Sequence, residues 1–207
     1  MDALLWSDYL CPWCYVGLDR SALLRRLGVR ITALPFELHP EIPPEGLSLR
    51  ERWGARYAEA DAMYRRIAEE CAAAGLAFRR PERVPNTRRA LETAEVVRRR
   101  WPGAFDVVDR ALFTAHFVEG RSIGDPDVLD DAVAGSGADA AEVRRAVDAG
   151  EAGGAVEASM AAAERVGVTG TPAWLLDGRF LLPGAQPHDV IERIVSRLRE
   201  RPPPTGP

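Results

Sequence analysis

Lysine is absent from this chain of 207 residues, and cysteine and histidine are scarce, at three each. All 27 basic residues are arginine. A coding bias accounts for that, because runs such as Arg98-Arg99-Arg100 sit among acidic neighbours on plausible solvated helix faces. With a formal net charge of -4, there is no electrostatic footprint for nucleic acid. Three cysteines make no disulfide framework. His39, His116 and His188 are isolated, and Cys71 is the one thiol outside Cys11 and Cys14. A structural zinc site takes four ligands, commonly as two closely spaced pairs, and no second pair exists here. No apolar run approaches the ~18 residues that would cross a membrane. The residues before Cys11 lack a basic n-region and a long apolar stretch, so a reducing cytoplasm is the expected compartment.

What is present is Cys11-Pro12-Trp13-Cys14. It follows a short apolar run, Ala3 to Trp6, and opens a helical pattern reaching about Leu27. Cys11 falls where an N-cap belongs, and Pro12 at the first helical position, which proline favours. Unpaired N–H groups and the positive end of the helix dipole then face the Cys11 sulfur and favour its thiolate. A thiolate is the species that attacks disulfides. Two cysteines at this spacing can close a small disulfide and reopen it. A purely structural CxxC is the plain alternative.

The 46% hydrophobic content can fill a substantial core. Ala3 to Trp6 and Val29 to Leu38 read as strands around the CPWC helix, whose inward stripe is Val16, Leu23, Leu24 and Leu27. Strand, helix, strand within about forty residues is a βαβ unit, hence a parallel pair. From the turn-rich His39 to Gly46 until about Gly167 the pattern is helical. It covers Ser48–Ala74, Thr87–Arg100, Phe105–Val118, Asp127–Ala134, Asp139–Asp148 and Ala155–Val166. Strand character returns at Ala173–Leu176 and Arg179–Leu182, joined by Asp177-Gly178, a strong hairpin signal. An amphipathic helix, His188 to Glu200, ends the pattern. The tail 201–207 has little to bury and reads as disordered.

The blocks Trp6 to Gly17, Pro35 to Pro40, Asn86-Thr87, Ala111 to Arg121, Gly167 to Pro172 and Pro183 to Gln186 together resemble the DsbA family of thioredoxin-fold proteins. Within it they are similar to the FrnE-like branch. The resemblance spans nearly the whole chain. It implies an α/β fold, a thioredoxin-like core with a mixed β-sheet, interrupted by an all-α insertion domain. The core would occupy residues 1–42 and 151–200, and the insertion 43–150, capping the sheet edge near the motif.

The resemblance also assigns roles. It implies a thiol–disulfide oxidoreductase, with Cys11 at the exposed helix end as nucleophile and Cys14 as the more buried resolving thiol. Pro12 and Trp13 would tune the redox poise. Trp13 stands where many periplasmic relatives have histidine, so strong oxidising power does not carry over. Thr171-Pro172 would be cis and offer the Thr171 backbone to an extended substrate. A trans proline entering a strand is the alternative. Glu37 is a candidate for proton exchange with Cys14, or an ordinary ion-pair partner of an arginine. Asn86 is a substrate-binding candidate beside its plain reading as an N-cap. His39 and His116 read as structural, and Cys71 as a small buried hydrophobe. No tightly bound cofactor and no metal is expected, and glutathione is a candidate co-substrate. Partners would be thiol- or disulfide-containing proteins or small molecules, not nucleic acid or membrane. The rival reading is a glutathione-dependent isomerase or transferase similar to 2-hydroxychromene-2-carboxylate isomerase.

Overall fold

In the computed structural model, which describes residues 1–200, the first forty residues form the expected βαβ unit. The tail expected to be disordered lies outside the described residues. Strand β1 (Asp2–Ser7) and strand β2 (Arg30–Pro35) flank helix α1 (Pro12–Arg26). The strands pair in parallel, from Asp2 opposite Arg30 to Ser7 opposite Pro35. The second strand stops three residues before the expected Leu38. Pro35 brings no N–H to a ladder, and the Leu38 N–H turns inward to the Asp8 carboxylate at 2.7 Å.

The helical stretch that follows begins with a break. The expected single helix over Ser48–Ala74 is divided into α2 (Leu49–Trp53) and α3 (Tyr57–Ala73), with a 3₁₀ turn between them. Gly54 at φ 51° opens that turn in a region side-chain-bearing residues avoid. Ser48 caps α2 through a reciprocal bond with Glu51. Two short strands, β3 (Leu47–Ser48) and β4 (Arg83–Val84), pair antiparallel. They are too brief to show a periodicity in sequence. Then come α4 (Arg88–Arg100), α5 (Phe105–Phe117), α6 (Pro126–Val133), α7 (Ala140–Asp148) and α8 (Gly153–Arg165).

Strands β5 (Ala173–Leu176) and β6 (Phe180–Pro183) form the expected antiparallel hairpin, turning through Asp177 and Gly178, both at positive φ. Helix α9 (His188–Glu200) follows. Because β5 also pairs antiparallel with β1, the sheet is mixed, in the order β2-β1-β5-β6. Alternation along the strands loads both faces. Ala3, Trp174, Leu176 and Leu182 pack with Leu23 and Leu24 of α1 and Ile191 and Val195 of α9. Trp6 and Ala173 pack on the other face with Phe36, Ala163 and Val168. Trp6 and Trp174 are almost wholly buried, and each contributes roughly 4–6 kcal/mol of apolar burial.

A third and larger cluster joins the start of α1 to the helices. Tyr9 meets Phe113 in a tilted contact at 4.9 Å, and Tyr15 stacks on Phe117 at 5.3 Å. Phe117 in turn meets Phe78, and Phe78 meets Tyr64 of α3. This aromatic chain fastens the helical region over the CPWC turn.

Candidate active site

Cys11 is the N-cap of α1, with extended backbone angles, and Pro12 is at the first helical position. The chain tightens there: Cys11 N–H bonds the Asp8 carbonyl at 3.1 Å, while Cys14 and Tyr15 N–H both reach the Cys11 carbonyl. The three cysteines are free thiols. Cys11 and Cys14 are hydrogen-bonded to each other, and this bond is the largest cause lowering the Cys11 thiol below its ordinary value, against the opposing effect of burial. Burial, chiefly, pushes Cys14 well above its ordinary value, and the neighbouring Cys11 pushes the same way. One thiol is thus primed to ionise and the other to stay protonated.

The Cys11 sulfur is not exposed, as the helix-end position suggested. The residue is only 4% accessible and Cys14 3%. The reason is tertiary, since the aromatic cluster draws α3 and α5 over the first turn of α1. Tyr64 of α3 lies within electrostatic reach of Cys11, and Arg66 spreads over the half-buried Trp13 ring at 5.3 Å.

From the far end of the chain comes Thr171-Pro172, whose peptide bond is cis. The Cys11 thiol donates to the Thr171 carbonyl at 3.4 Å. The Thr171 hydroxyl is buried without a conventional partner in the protein and faces both sulfurs, favouring the thiolate on each. Residues 11 and 171, far apart in sequence, therefore form one site. A cleft of about 260 Å³ runs beside it along the backbone of Gly167 to Ala173, with Leu181, Pro183 and Gly184 on its other wall.

A family model for the DSBA-like thioredoxin domain matches residues 4–196. The chain belongs to this family. Among solved structures, the probable DsbA oxidoreductase SCO1869 of Streptomyces coelicolor is 28% identical with a TM-score of 0.90, covering 100% of this chain and 93% of that one. A 2-hydroxychromene-2-carboxylate isomerase is 18% identical with a TM-score of 0.74, covering 97% of each chain. The cytosolic disulfide reductase DsbM of Pseudomonas aeruginosa, solved with GSH, is 22% identical with a TM-score of 0.70, covering 96% of this chain and all of that one. The last two are similar in fold.

Around the DSBA-like dithiol, the structure redistributes the acidic and polar candidates. Glu37 forms an ion pair with Arg88 at 3.1 Å, part of a junction in which Arg88 also holds Glu92 and the Gly153 carbonyl. The ordinary ion-pair reading of Glu37 is the one its contacts match. Asn86 uses both ends of its amide internally: Nδ2 donates to the Ile42 carbonyl at 2.6 Å, and Oδ1 accepts the Arg88 N–H at 3.0 Å. Through these two bonds it braces the entrance to α4. His116 is buried, which pushes its pKa down to about 4, and His39 lies between Glu41 and Arg52. Cys71 is fully buried on α3, and burial raises its thiol to about 11. Among the described residues, no cluster of three or more His, Cys, Asp or Glu side chains could hold a metal. No helix among them is long and apolar enough to cross a membrane.

The acid that sequence reasoning passed over is Asp8, three residues before Cys11. It is completely buried, accepts the N–H groups of Leu38 and Leu10, and is pushed up to about 6, chiefly by burial. Its charge opposes ionisation of Cys11. A polar residue just after a strand and before an N-cap reads as surface turn chemistry, so only its burial marks it out.

Proposed function

We propose that the protein is a thiol–disulfide oxidoreductase in which Cys11 forms the mixed disulfide and Cys14 resolves it. The observation that carries this reading is the split between two adjacent thiols at a helix start, one lowered and one raised, with the Thr171 carbonyl on the lowered one. An attacking thiol needs thiolate character, and a resolving thiol must wait until a mixed disulfide forms. The FrnE-like branch and a cytoplasmic compartment belong to the same proposal, from the sequence blocks around CPWC. Pro12 and Trp13 set the poise, and the Thr171–Pro172 turn aligns the substrate.

Burial of Cys11 favours a small thiol or an extended segment over a folded protein surface, and glutathione meets that demand as co-substrate. Purified protein equilibrated in glutathione buffers between about −120 and −320 mV, the range of known couples, should convert between dithiol and disulfide. A protein that stays in one state across that window would sink the proposal.

The fold likeness to an isomerase supports a second reading, a glutathione-dependent isomerase or transferase. Cys14 argues against it, because a resolving thiol would attack any glutathione adduct on Cys11. Isomerase or transferase turnover that survives Cys14→Ser unchanged would favour this second reading.

A further inference from the structure

Guanidinium–ring contacts recur along α2 and α3, and among the described residues Arg66 alone lies over a ring of the redox turn. That ring is Trp13, two residues after Cys11 in the first turn of α1, and the guanidinium stands 5.3 Å from its centre. The same stretch of α3 meets the turn a second time, through Tyr64, which is within electrostatic reach of Cys11. Cys11 is covered and Trp13 half-buried, whereas Arg66 is exposed. Arg66 and Trp13 thus form part of the rim between the covered sulfur and solvent.

The placement of Arg66 is not dictated by acids on its own helix. One turn back stand Ala62 and Met63, which offer no charge. One turn on, Glu70 is bonded to Arg20 of α1 at 2.6 Å. Glu69 is exposed and lies three residues on, but an arginine N-terminal to its acid is the poorer order on a helix. Among the described residues the Arg66 guanidinium has no hydrogen-bond or carboxylate partner. Arg80 makes the contrast: it lies over Tyr64, and Asp61 answers its charge. A guanidinium seated on a ring face keeps its N–H donors, and that fork matches a carboxylate bidentately.

We propose that Arg66 makes the dithiol selective for acidic disulfides, holding a substrate carboxylate while Cys11 attacks the sulfur beside it. This rests on the dithiol reading above and adds the charge of the substrate and the residue that reads it. The rest of the chain pulls the other way. Its net charge of -4 favours cations overall, and the buried Asp8 adds a negative charge close to Cys11. A preference for anions therefore requires a local cation at the rim.

Atoms and electrons balance with oxidised glutathione as the acidic disulfide. The Cys11 thiolate attacks one sulfur, the glutathione S–S bond breaks, and one half leaves as thiolate. The half joined to Cys11 keeps its carboxylate on Arg66. Cys14 gives up its proton, which ends in solvent, and attacks Cys11 Sγ. The Cys11–Cys14 bond forms, the bond from Cys11 to glutathione breaks, and the second half leaves as thiolate. Both thiolates take protons from solvent. The protein dithiol loses two electrons and the glutathione disulfide gains them.

The test mixes reduced protein with excess oxidised glutathione, 2-hydroxyethyl disulfide or cystamine, which are anionic, neutral and cationic. Acid quenching and mass measurement give the rate at which each oxidises the dithiol. Each variant is compared with the native chain on the same disulfide, so intrinsic reactivities cancel. Arg66→Gln should slow oxidised glutathione about fivefold, the upper scale of one exposed ion pair. It should speed cystamine, with 2-hydroxyethyl disulfide between the two. Arg66→Glu should widen that divergence, and Arg66→Lys, which keeps the charge without the fork, should narrow it. In the native chain, raising salt from about 0.01 to 1 M shortens the screening length from about 30 to 3 Å. Oxidised glutathione should then slow relative to the neutral disulfide. A merely structural role would change all three rates by one factor. That outcome, in an Arg66→Gln protein folded by near-ultraviolet circular dichroism, overturns the proposal. If the variants do not fold, a native glutathione rate that fails to fall with salt relative to the neutral disulfide overturns it instead. A native chain that reacts with none of the three overturns the dithiol reading, and the selectivity with it.

Discussion

At the scale of single residues, two thiols one helical turn apart share the same burial, which raises both, yet end shifted in opposite directions. Cys11 ends lowered chiefly because Cys14 donates to it, whereas Cys14 is raised by burial and by Cys11 itself, although the Thr171 hydroxyl favours the thiolate on both. Cys14→Ala removes the largest lowering cause, so the Cys11 titration, followed by thiolate ultraviolet absorbance, should move upward. An unchanged midpoint would place the cause elsewhere. Asp8 makes a second prediction. Its carboxyl is raised from 3.8 to about 6 in the folded chain, so between those values the native state holds a proton that the unfolded state has lost. Its stabilising contribution is complete below about pH 4 and is lost as pH rises through 6, each tenfold gain in proton affinity being worth about 1.4 kcal/mol. Denaturant titrations should show Asp8→Asn flattening that part of the stability profile. A slope identical to the native one would contradict the assignment.

At the scale of elements, helix ends and tight turns decide where the helical region can fold back on the motif. The Ser48–Glu51 capping box sets the start of α2, and Ser48→Ala should cost about 1 kcal/mol in urea unfolding. Gly46 is less tolerant. Its φ is 71°, and a Cβ would lie 2.8 Å from the Val84 carbonyl oxygen. Gly46→Ala should therefore destabilise by more than Ser48→Ala, and comparable losses would mean that the β3–β4 ladder yields easily. The break at Gly54 is legible only afterwards, because an isolated glycine in a helical pattern is commonly tolerated.

At the scale of the whole molecule, the helical region covers the redox turn through the chain of aromatic contacts from Tyr9 and Tyr15 to Phe117. Phe117 is fully buried. Phe117→Ala should cost about 3–5 kcal/mol and, by loosening the cover, speed alkylation of Cys11 in the still-folded protein. A large loss of stability with no change in alkylation would mean that Cys11 is covered by other contacts.

The sequence by itself determined the CxxC dithiol at a helix start and the order of the main elements. CPWC after an apolar run, the Asp177-Gly178 hairpin and the terminal amphipathic helix are local signals, written in the spacing of neighbouring residues. The resemblance to DsbA proteins supplied the cis Thr171-Pro172 turn, which the structure contains. Only the tertiary structure decided that Cys11 is covered, that Glu37 and Asn86 are held by internal partners, and that Asp8 lies buried three residues before the dithiol. Burial and proton affinity depend on what the rest of the chain packs against a group. Asp109, which accepts the Tyr9 hydroxyl, lies a hundred residues further along the chain, and no local pattern carries that contact.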